Sequence, residues 1–340
     1  MRQLRLIDLG DVSALRSHAA YHALAVGAPE ALLLAVPGER YVSIGAYQEL
    51  ARDIDSAFCR EQAIPVYRRR IGGQTLFFGP DQQLFQVVTR GHRAATSLAR
   101  TCQDVLGALG ETYHAFGVDV HTVPANQIYL RRSRMGGMAA GRLDSAIIIA
   151  SSVVYRFEGG TMGRILRPGK QPRFTSIEKE LRKLPDCAEV KAALVERLAE
   201  ALEAKLVPGK LSDREQREID RLEAEFARHE WTGEMDARLA ALRQSAGADS
   251  RVTEGAHAAE GGTIRATVRT THHTIDHLVL SGDFSFCGEH LRGLEKAFRG
   301  ISTGWDALMT VAENYWLTYD IDSPGTAPAD WVAAISAACQ

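Results

Sequence analysis

The chain contains 340 residues, of which 45% are hydrophobic and 24% are charged, and its formal net charge is −2. This length exceeds what a single hydrophobic core usually supports, so we expect two domains. The near-neutral charge argues against a bulk attraction to nucleic acid or to an anionic membrane, and five scattered cysteines without a CxxC spacing argue against a disulfide framework or a structural zinc site.

The first elements of the chain are predicted from two apolar runs and one amphipathic segment. The runs ALLLAV (31–36) and YVSIGA (41–46) flank the turn sequence PGER, which predicts a β-hairpin. Residues 98–116 then repeat apolar side chains at helical spacing, and Gly117 is placed to end that helix. We therefore expect strands and a helix to pack together in the first third of the chain.

Two further segments complete the larger, N-terminal part. SAIIIASSVVYRF (145–157) is apolar and rich in β-branched residues, which predicts a central strand. LVERLAEALEAKL (194–206) has a leucine at every fourth position, which predicts an amphipathic helix stopped by Pro208 and Gly209. Strands and helices are interspersed without a regular βαβ alternation, which favours an α+β fold around a mixed or antiparallel sheet.

The composition changes in the last third of the chain. Residues 211–244 carry dense charge of both signs, which predicts a surface helix between two bodies. Residues 243–262 are small and polar, which predicts a mobile linker. A period-two segment, another strand and a short helix follow and predict a small α+β unit. We therefore predict domains at 1–207 and 255–340, joined by a connecting helix and linker at 208–254.

Positive charge and glycine coincide in YRRRIGGQTLFF (67–78). Glycines let backbone N–H groups converge on an anion, and arginine supplies a charged fork that matches phosphate or carboxylate oxygens. A second arginine–glycine turn occurs in NQIYLRRSRMGGMA (126–139). Two such turns that face each other would hold a phosphate and an acyl carbonyl together. The alternative is a solvated basic turn, which we favour for Arg131 and Arg132.

The motifs occur in a recognisable order along the chain. SIGAYQ (43–48), RRRIGGQTLFF, NQIYL with RMGGMA, and SSVVYRF together resemble the lipoate–protein ligase A family of the biotin/lipoyl protein ligase superfamily, and residues 282–301 are similar to its small accessory domain. The resemblance implies a mixed-sheet catalytic domain of the biotin/lipoyl ligase type followed by a small α+β C-terminal domain. It also implies that ATP and Mg²⁺ activate lipoate as lipoyl-adenylate, and that the acyl group then passes to a lysine of a lipoyl-carrier domain.

The resemblance assigns candidate functional residues by motif. The ligand-binding candidates are Arg68, Arg69, Gly72, Gly73, Gly136, Gly137, Gln48, Gln82 and Asn126. Arg134 takes the position of the family's lysine, which contacts the acyl carbonyl and the phosphate, so Arg134 is the candidate catalytic residue. It would neutralise the charge that develops between these groups. Leu76 and Phe78 would line an acyl tunnel, although the hydrophobic core is an equally good place for them.

The sequence also departs from the family pattern. Arginine keeps the charge of lysine but is bulkier and planar, so the exchange at Arg134 is not conservative at a close two-point contact. Gln74 replaces the third glycine of the first loop, Phe78 replaces a histidine, and Glu178 lies where positive charge is expected. Two hypotheses follow: Arg134 performs the role of the lysine, or the chain is a paralogue that has lost adenylation and transfers or binds an acyl group.

A cysteine-dependent acyl transferase is the nearest alternative enzyme. Its thiolate would lie beside positive charge in the pocket. Cys102 instead lies on the apolar stripe of a predicted helix, and Cys59 and Cys187 are near neither glycine turn in sequence. No metal site is predicted from the protein side chains, because the histidines around position 273 fit no standard zinc spacing.

We expect a cytoplasmic protein whose partner is a lipoyl-carrier domain. The N-terminal sequence lacks an apolar signal segment, and no apolar run is long enough to span a bilayer. Neither nucleic acid nor a membrane is a predicted partner, since the basic residues form no extended stripe.

Overall fold

The computed structural model describes residues 2–27, 29–90, 97–123, 127–167 and 172–340. Its strands are β1 (Arg2–Val12), β2 (Ala31–Pro37), β3 (Tyr41–Ile44), β4 (Val66–Arg68), β5 (Leu76–Phe78), β6 (Gln82–Arg90), β7 (His121–Val123), β8 (Gln127–Leu130), β9 (Ser133–Gly137), β10 (Ala139–Leu143), β11 (Ala146–Val154), β12 (Arg173–Phe174), β13 (Ala204–Pro208), β14 (Arg251–Ala259), β15 (Gly262–Thr271) and β16 (Thr274–Gly282). Its helices are α1 (Ala14–Ala25), α2 (Leu50–Asp53), α3 (Ser56–Glu61), α4 (Leu98–Ala115), α5 (Gly159–Ile165), α6 (Ile177–Leu181), α7 (Cys187–Ala201), α8 (Asp213–Phe226), α9 (His229–Thr232), α10 (Glu234–Gln244), α11 (Gly288–Ala297), α12 (Trp305–Tyr319) and α13 (Pro328–Cys339). Within these described residues, no helix has both the length and the apolar character needed to cross a membrane.

A six-stranded mixed sheet forms the centre of the N-terminal unit, in the order β10-β11-β6-β2-β1-β13. β1 pairs in parallel with β2 and β13, whereas the other pairs are antiparallel. Successive side chains of β11 point to opposite faces, so that Ile147 and Ile149 join the core with α4 and α7, and Ile148 joins the core with α1 and α8. All of β11 is buried. This architecture confirms the predicted α+β class and the predicted strand at 145–157.

The hairpin predicted at 31–46 is wrong, because β2 and β3 belong to different sheets. Both edges of β2 are occupied, one by β1 and the other by β6. β3 therefore has no free edge of β2 to pair with. It pairs instead with β4 and β5 in a three-stranded sheet. This small sheet carries the first arginine–glycine motif, so it positions one side of the candidate site.

One helix prediction is confirmed and another is partly wrong. α4 forms as predicted: the Ser97 side chain caps its first turn, and Gly117 follows its end with a φ of +80°. The helix predicted at 194–206 stops at Ala201, and Ala204–Pro208 forms β13 along the edge of β1. Pairing with that strand outweighs the helical spacing of the leucines.

The C-terminal unit is the antiparallel sheet β14-β15-β16 with α11, α12 and α13, and it has its own core around Trp331. The linker predicted at 243–262 is wrong for residues 251–259, which form β14. A Cβ at Gly255 of that strand would lie only 2.2 Å from the backbone nitrogen of Ala338 in α13. The small residues therefore let a helix pack closely on the strand, instead of marking a flexible segment.

Candidate functional site

A narrow cavity of about 40 Å³ lies where the small sheet meets β9 and β11. Most of its wall is apolar, and a few polar groups lie among the apolar side chains. The apolar lining residues are Leu76, Phe77, Phe78, Met135, Val154, Phe157, Met162 and Phe174. The remaining lining residues are Thr75, Gln82, Arg134, Ser152, Gly136 and Gly137. The lining therefore suits a ligand with an aliphatic body and one polar or anionic end, and such a ligand would have to widen the cavity, since ligand pockets usually measure roughly 300 Å³ or more.

Arg134 is the charged residue among those that line the cavity. It is 9% exposed. Its Nη1 donates to Oε1 of Gln74 at 2.9 Å, and its Nε donates to the carbonyl oxygen of Gly136 at 3.3 Å. Burial lowers the pKa of Arg134, and no carboxylate in the described part of the chain forms an ion pair with it. Burying a cation without an ion-pair partner is costly, and the charge of Asp283, which is not in ion-pair contact, offsets only part of that cost, so an anionic ligand would stabilise this group.

Gly137 leaves the space that the Arg134 side chain occupies. A Cβ at Gly137 would lie 2.3 Å from Nη2 of Arg134, so a larger residue would displace the guanidinium. Gly136 is less constrained, since the nearest atom to its Cβ position is the carbonyl oxygen of Ser152 at 4.0 Å. The position of the Arg134 side chain therefore requires a glycine at 137 but not at 136.

The two arginine–glycine segments lie side by side. Gln74 of the first segment bonds to Arg134 of the second, and a Cβ at Gly73 would lie 3.6 Å from Cα of Ala139. The cavity, however, is lined by residues that follow the first glycine loop, beginning at Thr75, and not by the loop itself. The two segments are adjacent, but the glycines of the first loop are not among the residues that line the cavity.

Arg68 and Arg69 are both buried, and their guanidinium groups point into the protein. Burial lowers the pKa of each to about 10. Their acceptors are main-chain carbonyls: those of Gly45, Ala46, Gln48 and Thr232 for Arg68, and those of Ser43, Gly72 and Gln74 for Arg69. Neither residue is among those that line the cavity. These contacts favour a structural role for the pair, which holds the first motif in place.

The first glycine loop faces the C-terminal unit. The N–H of Gly73 donates to the carbonyl oxygen of Phe284 at 2.8 Å, and a Cβ at Gly72 would lie 2.2 Å from the same oxygen. Gly73 has a φ of +95°, a conformation that favours glycine. Tyr47 of the SIGAYQ motif stacks on the Phe284 ring with 5.1 Å between centroids. The glycines of this loop thus allow close contact with the C-terminal unit.

The three polar candidates have different placements. Gln82 lines the cavity, where its Nε2 donates to the carbonyl oxygen of Phe77 at 3.0 Å and its Oε1 accepts from the hydroxyl of Ser152 at 2.8 Å. Gln48 shapes the first turn, since its Oε1 accepts the N–H of Gly45 at 2.8 Å. Asn126 lies outside the described residues.

Sequence reasoning missed Phe157, Met162 and Phe174 as lining residues. Phe157 lies just after β11, Met162 on α5 and Phe174 on β12. None of these segments contains an arginine–glycine motif. Phe157 ends the SSVVYRF motif, which is the one signal that the sequence contains. The rings of Phe157 and Phe174 lie 5.1 Å apart, so these distant segments close the cavity together.

No cysteine is available as a nucleophile in the cavity. All five cysteines belong to the described part of the chain, and none is among the lining residues. Burial raises the pKa of Cys59 to about 11 and that of Cys102 to about 12. Both thiols are therefore protonated at neutral pH and unreactive.

The family model described as the lipoyl protein ligase A/B catalytic domain matches residues 14–199, which is more than half of the chain. The chain belongs to this family. This finding confirms the resemblance drawn from the sequence motifs. No curated protein matches the chain.

Solved structures share the fold of this lipoyl ligase family member at low sequence identity. LipL1 of P. falciparum in complex with lipoate is 12% identical, with a TM-score of 0.67 over 92% of this chain and 94% of that one. Lipoate-protein ligase A bound with ATP is 17% identical, with a TM-score of 0.61 over 69% and 100%. A bipartite lipoate protein ligase, described with its E2 lipoyl domain from Thermoplasma acidophilum, is 18% identical, with a TM-score of 0.59 over 69% and 98%. These likenesses confirm the predicted α+β fold of the biotin/lipoyl ligase type.

Proposed function

We propose that this chain activates lipoate, or a similar short fatty acid, with ATP and attaches it to a lysine of a lipoyl-carrier domain. The observation that carries the proposal is the buried guanidinium of Arg134 in a largely apolar cavity. Membership of the lipoyl protein ligase A/B family supports it. Further support comes from the shared fold of proteins solved with lipoate, with ATP, or described with a lipoyl domain.

The acid would bind with its chain against the apolar wall and its carboxylate at Arg134. Each methylene removed from water stabilises the complex by about 0.8 kcal/mol. The amide oxygen of Gln74 now accepts a hydrogen bond from Arg134. A carboxylate is a stronger acceptor than an amide, so the ligand would displace Gln74 from the guanidinium.

Two steps would follow at this site. A carboxylate oxygen attacks the α-phosphate of ATP, which forms the acyl-adenylate and releases pyrophosphate. The neutral amine of the carrier lysine then attacks the acyl carbonyl, which forms the amide and releases AMP and a proton. Arg134 would stabilise the negative charge that develops in both steps.

Magnesium would be held mainly by the nucleotide. Among the described residues, no group of three or more His, Cys, Asp and Glu side chains is arranged to hold a metal ion. Mg²⁺ commonly uses substrate phosphates and water as most of its ligands, so the side chains of this site are compatible with an ion that arrives with ATP.

The second candidate is a non-adenylating paralogue that binds the acyl group. The N–H of Gly73, which an adenylating loop would offer to a phosphate, donates to the carbonyl oxygen of Phe284 instead. Arg68 and Arg69 are likewise bonded to main-chain carbonyls. A cysteine-dependent transferase is disfavoured, because no cysteine lines the cavity.

Lipoate-dependent exchange of pyrophosphate into ATP tests the proposal. Wild-type protein should catalyse the exchange, and Arg134→Ala should lose about a hundredfold or more in rate, as when one preorganised donor to a transition state is removed. Arg134→Lys keeps the charge and should retain part of the rate. Arg132→Ala, which changes an exposed arginine of the same hairpin, is the matched control.

The outcomes separate the two candidates. Wild-type protein that binds lipoate without exchanging pyrophosphate would favour the non-adenylating paralogue. Failure to bind either lipoate or a short fatty acid such as octanoate would contradict both candidates.

A further inference from the structure

A second cavity, of about 350 Å³, adjoins the first behind a thin wall. Three side chains, those of Phe77, Gln82 and Phe157, line both cavities. Arg134 and its glycine turn line the first cavity alone. The three shared residues therefore form the wall between the apolar cavity and the outer one. Because Arg134 and its glycine turn do not line the outer cavity, this wall is not the part of the apolar cavity that the arginine turn forms.

The outer cavity is polar and charged. Arg40 pairs with Glu158 at 2.9 Å, and Arg156 pairs with Asp81 at 3.1 Å and with Glu178 at 2.8 Å. All five side chains line this cavity and are partly exposed to solvent. An aliphatic chain end that entered it would gain little from burial, because the surrounding groups are hydrated.

The wall is well supported on its inner side. Gln82 ties the main chain of Phe77 to the hydroxyl of Ser152, and both Gln82 and Phe77 are buried. The Phe157 ring packs edge-on against Phe77, with 5.9 Å between centroids, and lies 5.1 Å from Phe174. Phe157 is only half-buried. It is therefore the part of the wall whose side chain can be shortened with least disturbance of the core.

We propose that Phe157, backed by Phe77, is the end wall that sets the longest acyl chain that this site accepts. The inference rests on the proposed function, because it assigns a chain-length limit to the same cavity. With the carboxylate anchored at Arg134, each added methylene gains apolar contact until the chain reaches Phe157. A longer chain must displace the ring or extend into the charged outer cavity.

Equilibrium binding of hexanoate, octanoate, decanoate and dodecanoate to the full-length protein tests this limit. For wild-type protein, affinity should rise about fourfold per methylene up to one chain length and then level off or fall. Phe157→Ala should shift that break to a longer acid while leaving the affinity for the shortest acid within about twofold. Phe58→Ala is the matched control, since Phe58 belongs to the same hydrophobic cluster, is half-buried and lines neither cavity.

The outcomes distinguish the wall from the proposed function. If wild-type protein binds the series but the break stays at the same acid in Phe157→Ala, the wall proposal is overturned and the proposed function stands. If wild-type protein binds neither these acids nor lipoate, both are overturned; if it binds lipoate alone, the wall proposal is overturned and the proposed function stands. Thermal melting of each variant checks folding, and Phe157→Leu, a smaller truncation, should give a smaller shift in the same direction if the alanine variant does not fold.

Discussion

Arg68, Arg69 and Arg70 are consecutive in sequence, but their guanidinium groups have different environments. The first two are buried and donate to main-chain carbonyls. Arg70 is partly buried: its Nη2 pairs with Glu225 at 2.6 Å, and its guanidinium lies over the rings of Phe226 and Trp231. Three identical side chains carry no information about which of them will face the interior, because that depends on what covers each side of the strand. The motif predicted that positive charge matters here, but not which role each arginine has.

Replacement of Arg69 tests the structural role. Arg69→Met should lower the free energy of unfolding by about 3 kcal/mol, because buried carbonyls of Ser43, Gly72 and Gln74 lose a charged donor. Arg132→Met, which changes an exposed arginine, is the matched control and should cost no more than about 0.5 kcal/mol. Urea denaturation measures both values. Wild-type stability in Arg69→Met combined with a loss of ATP binding would instead identify Arg69 as a ligand contact.

The cavity itself was only partly predictable at the residue scale. The motifs identified Arg134, Gly137 and Gln82, and all three line the cavity. Gln74 was noted only as a departure from the family pattern, yet it is the hydrogen-bond partner of Arg134. Phe157 comes from a segment without a glycine turn. Contacts between side chains distant in sequence depend on the tertiary fold, and a single sequence does not specify them.

At the scale of single elements, α1 buries two histidines against the strand that carries the arginines. The Nδ1 of His22 donates to the carbonyl oxygen of His18 at 2.9 Å, and its Nε2 accepts the N–H of Arg70 at 3.0 Å. Those two bonds require the neutral imidazole, since a protonated ring has no acceptor. The His18 ring lies 5.2 Å from that of Phe226 in α8. The helix is therefore joined to its neighbours through uncharged rings.

The stability of the fold should depend on His18 in mild acid. Burial, with a smaller effect of the Arg69 charge, lowers the pKa of His18 from 6.5 to about 3. Between these two values the unfolded chain binds more protons than the folded one, so the free energy of unfolding falls as the pH decreases below 6.5 and is unaffected above it. His18→Phe should match wild type near neutral pH and be more stable by about 2 kcal/mol at about pH 5.

Denaturant unfolding of both proteins across this range checks the prediction. Titrating carboxylates contribute equally to the two proteins and His22 is present in both, so the difference reports His18 together with its coupling to the His22 ring 5.5 Å away. Parallel curves for wild type and His18→Phe would contradict a neutral, buried His18.

Elements that form because of their own residue pattern were predictable from the sequence. Elements that form because of a packing or pairing partner elsewhere in the chain were not. The apolar face of α4 is sufficient to predict a helix, and the helix forms. β13 depends on the free edge of β1, and β14 depends on the close approach of α13 at Gly255. Neither partner is visible in the local sequence, which is why a helix and a linker were predicted in their place.

For the molecule as a whole, the SIGAYQ segment, the residues just after it and the first glycine loop join the two units. Arg265 of the C-terminal unit pairs with Asp53 at 2.7 Å, and the Ser281 hydroxyl donates to Glu49 at 2.7 Å. The N–H of Gly282 donates to the carbonyl oxygen of Tyr47 at 2.9 Å. Length and composition predicted two domains, but not that the loop expected to hold phosphate would form their interface. The SIGAYQ segment and the first glycine loop therefore belong to the N-terminal unit and also form its contact surface with the C-terminal unit.

Gly72 offers a direct test of this interface. In Gly72→Ala the new methyl carbon would lie 2.2 Å from the carbonyl oxygen of Phe284, so the loop and the C-terminal unit must move apart. Strain of about 1–3 kcal/mol is expected, which should accelerate amide exchange of Gly73 and Gly282, the interface donors, by about fivefold or more. Hydrogen-exchange mass spectrometry of peptides that contain these residues measures the effect, and peptides from β15, the central strand of the C-terminal sheet, should exchange as in wild type.

Gly107→Ala is the control, because no atom lies within 4 Å of its Cβ position in α4. Its interface peptides should exchange at the wild-type rate, and alanine should stabilise the helix by roughly 0.5–1 kcal/mol. If Gly72→Ala kept wild-type exchange at Gly73 and Gly282 and lost only the binding of ATP, the glycine would serve the nucleotide and not the contact with Phe284. If Gly72→Ala instead exchanged faster and still bound lipoate, the loop would maintain the interface without holding the acid. The acid would then be held by Arg134 and the apolar wall.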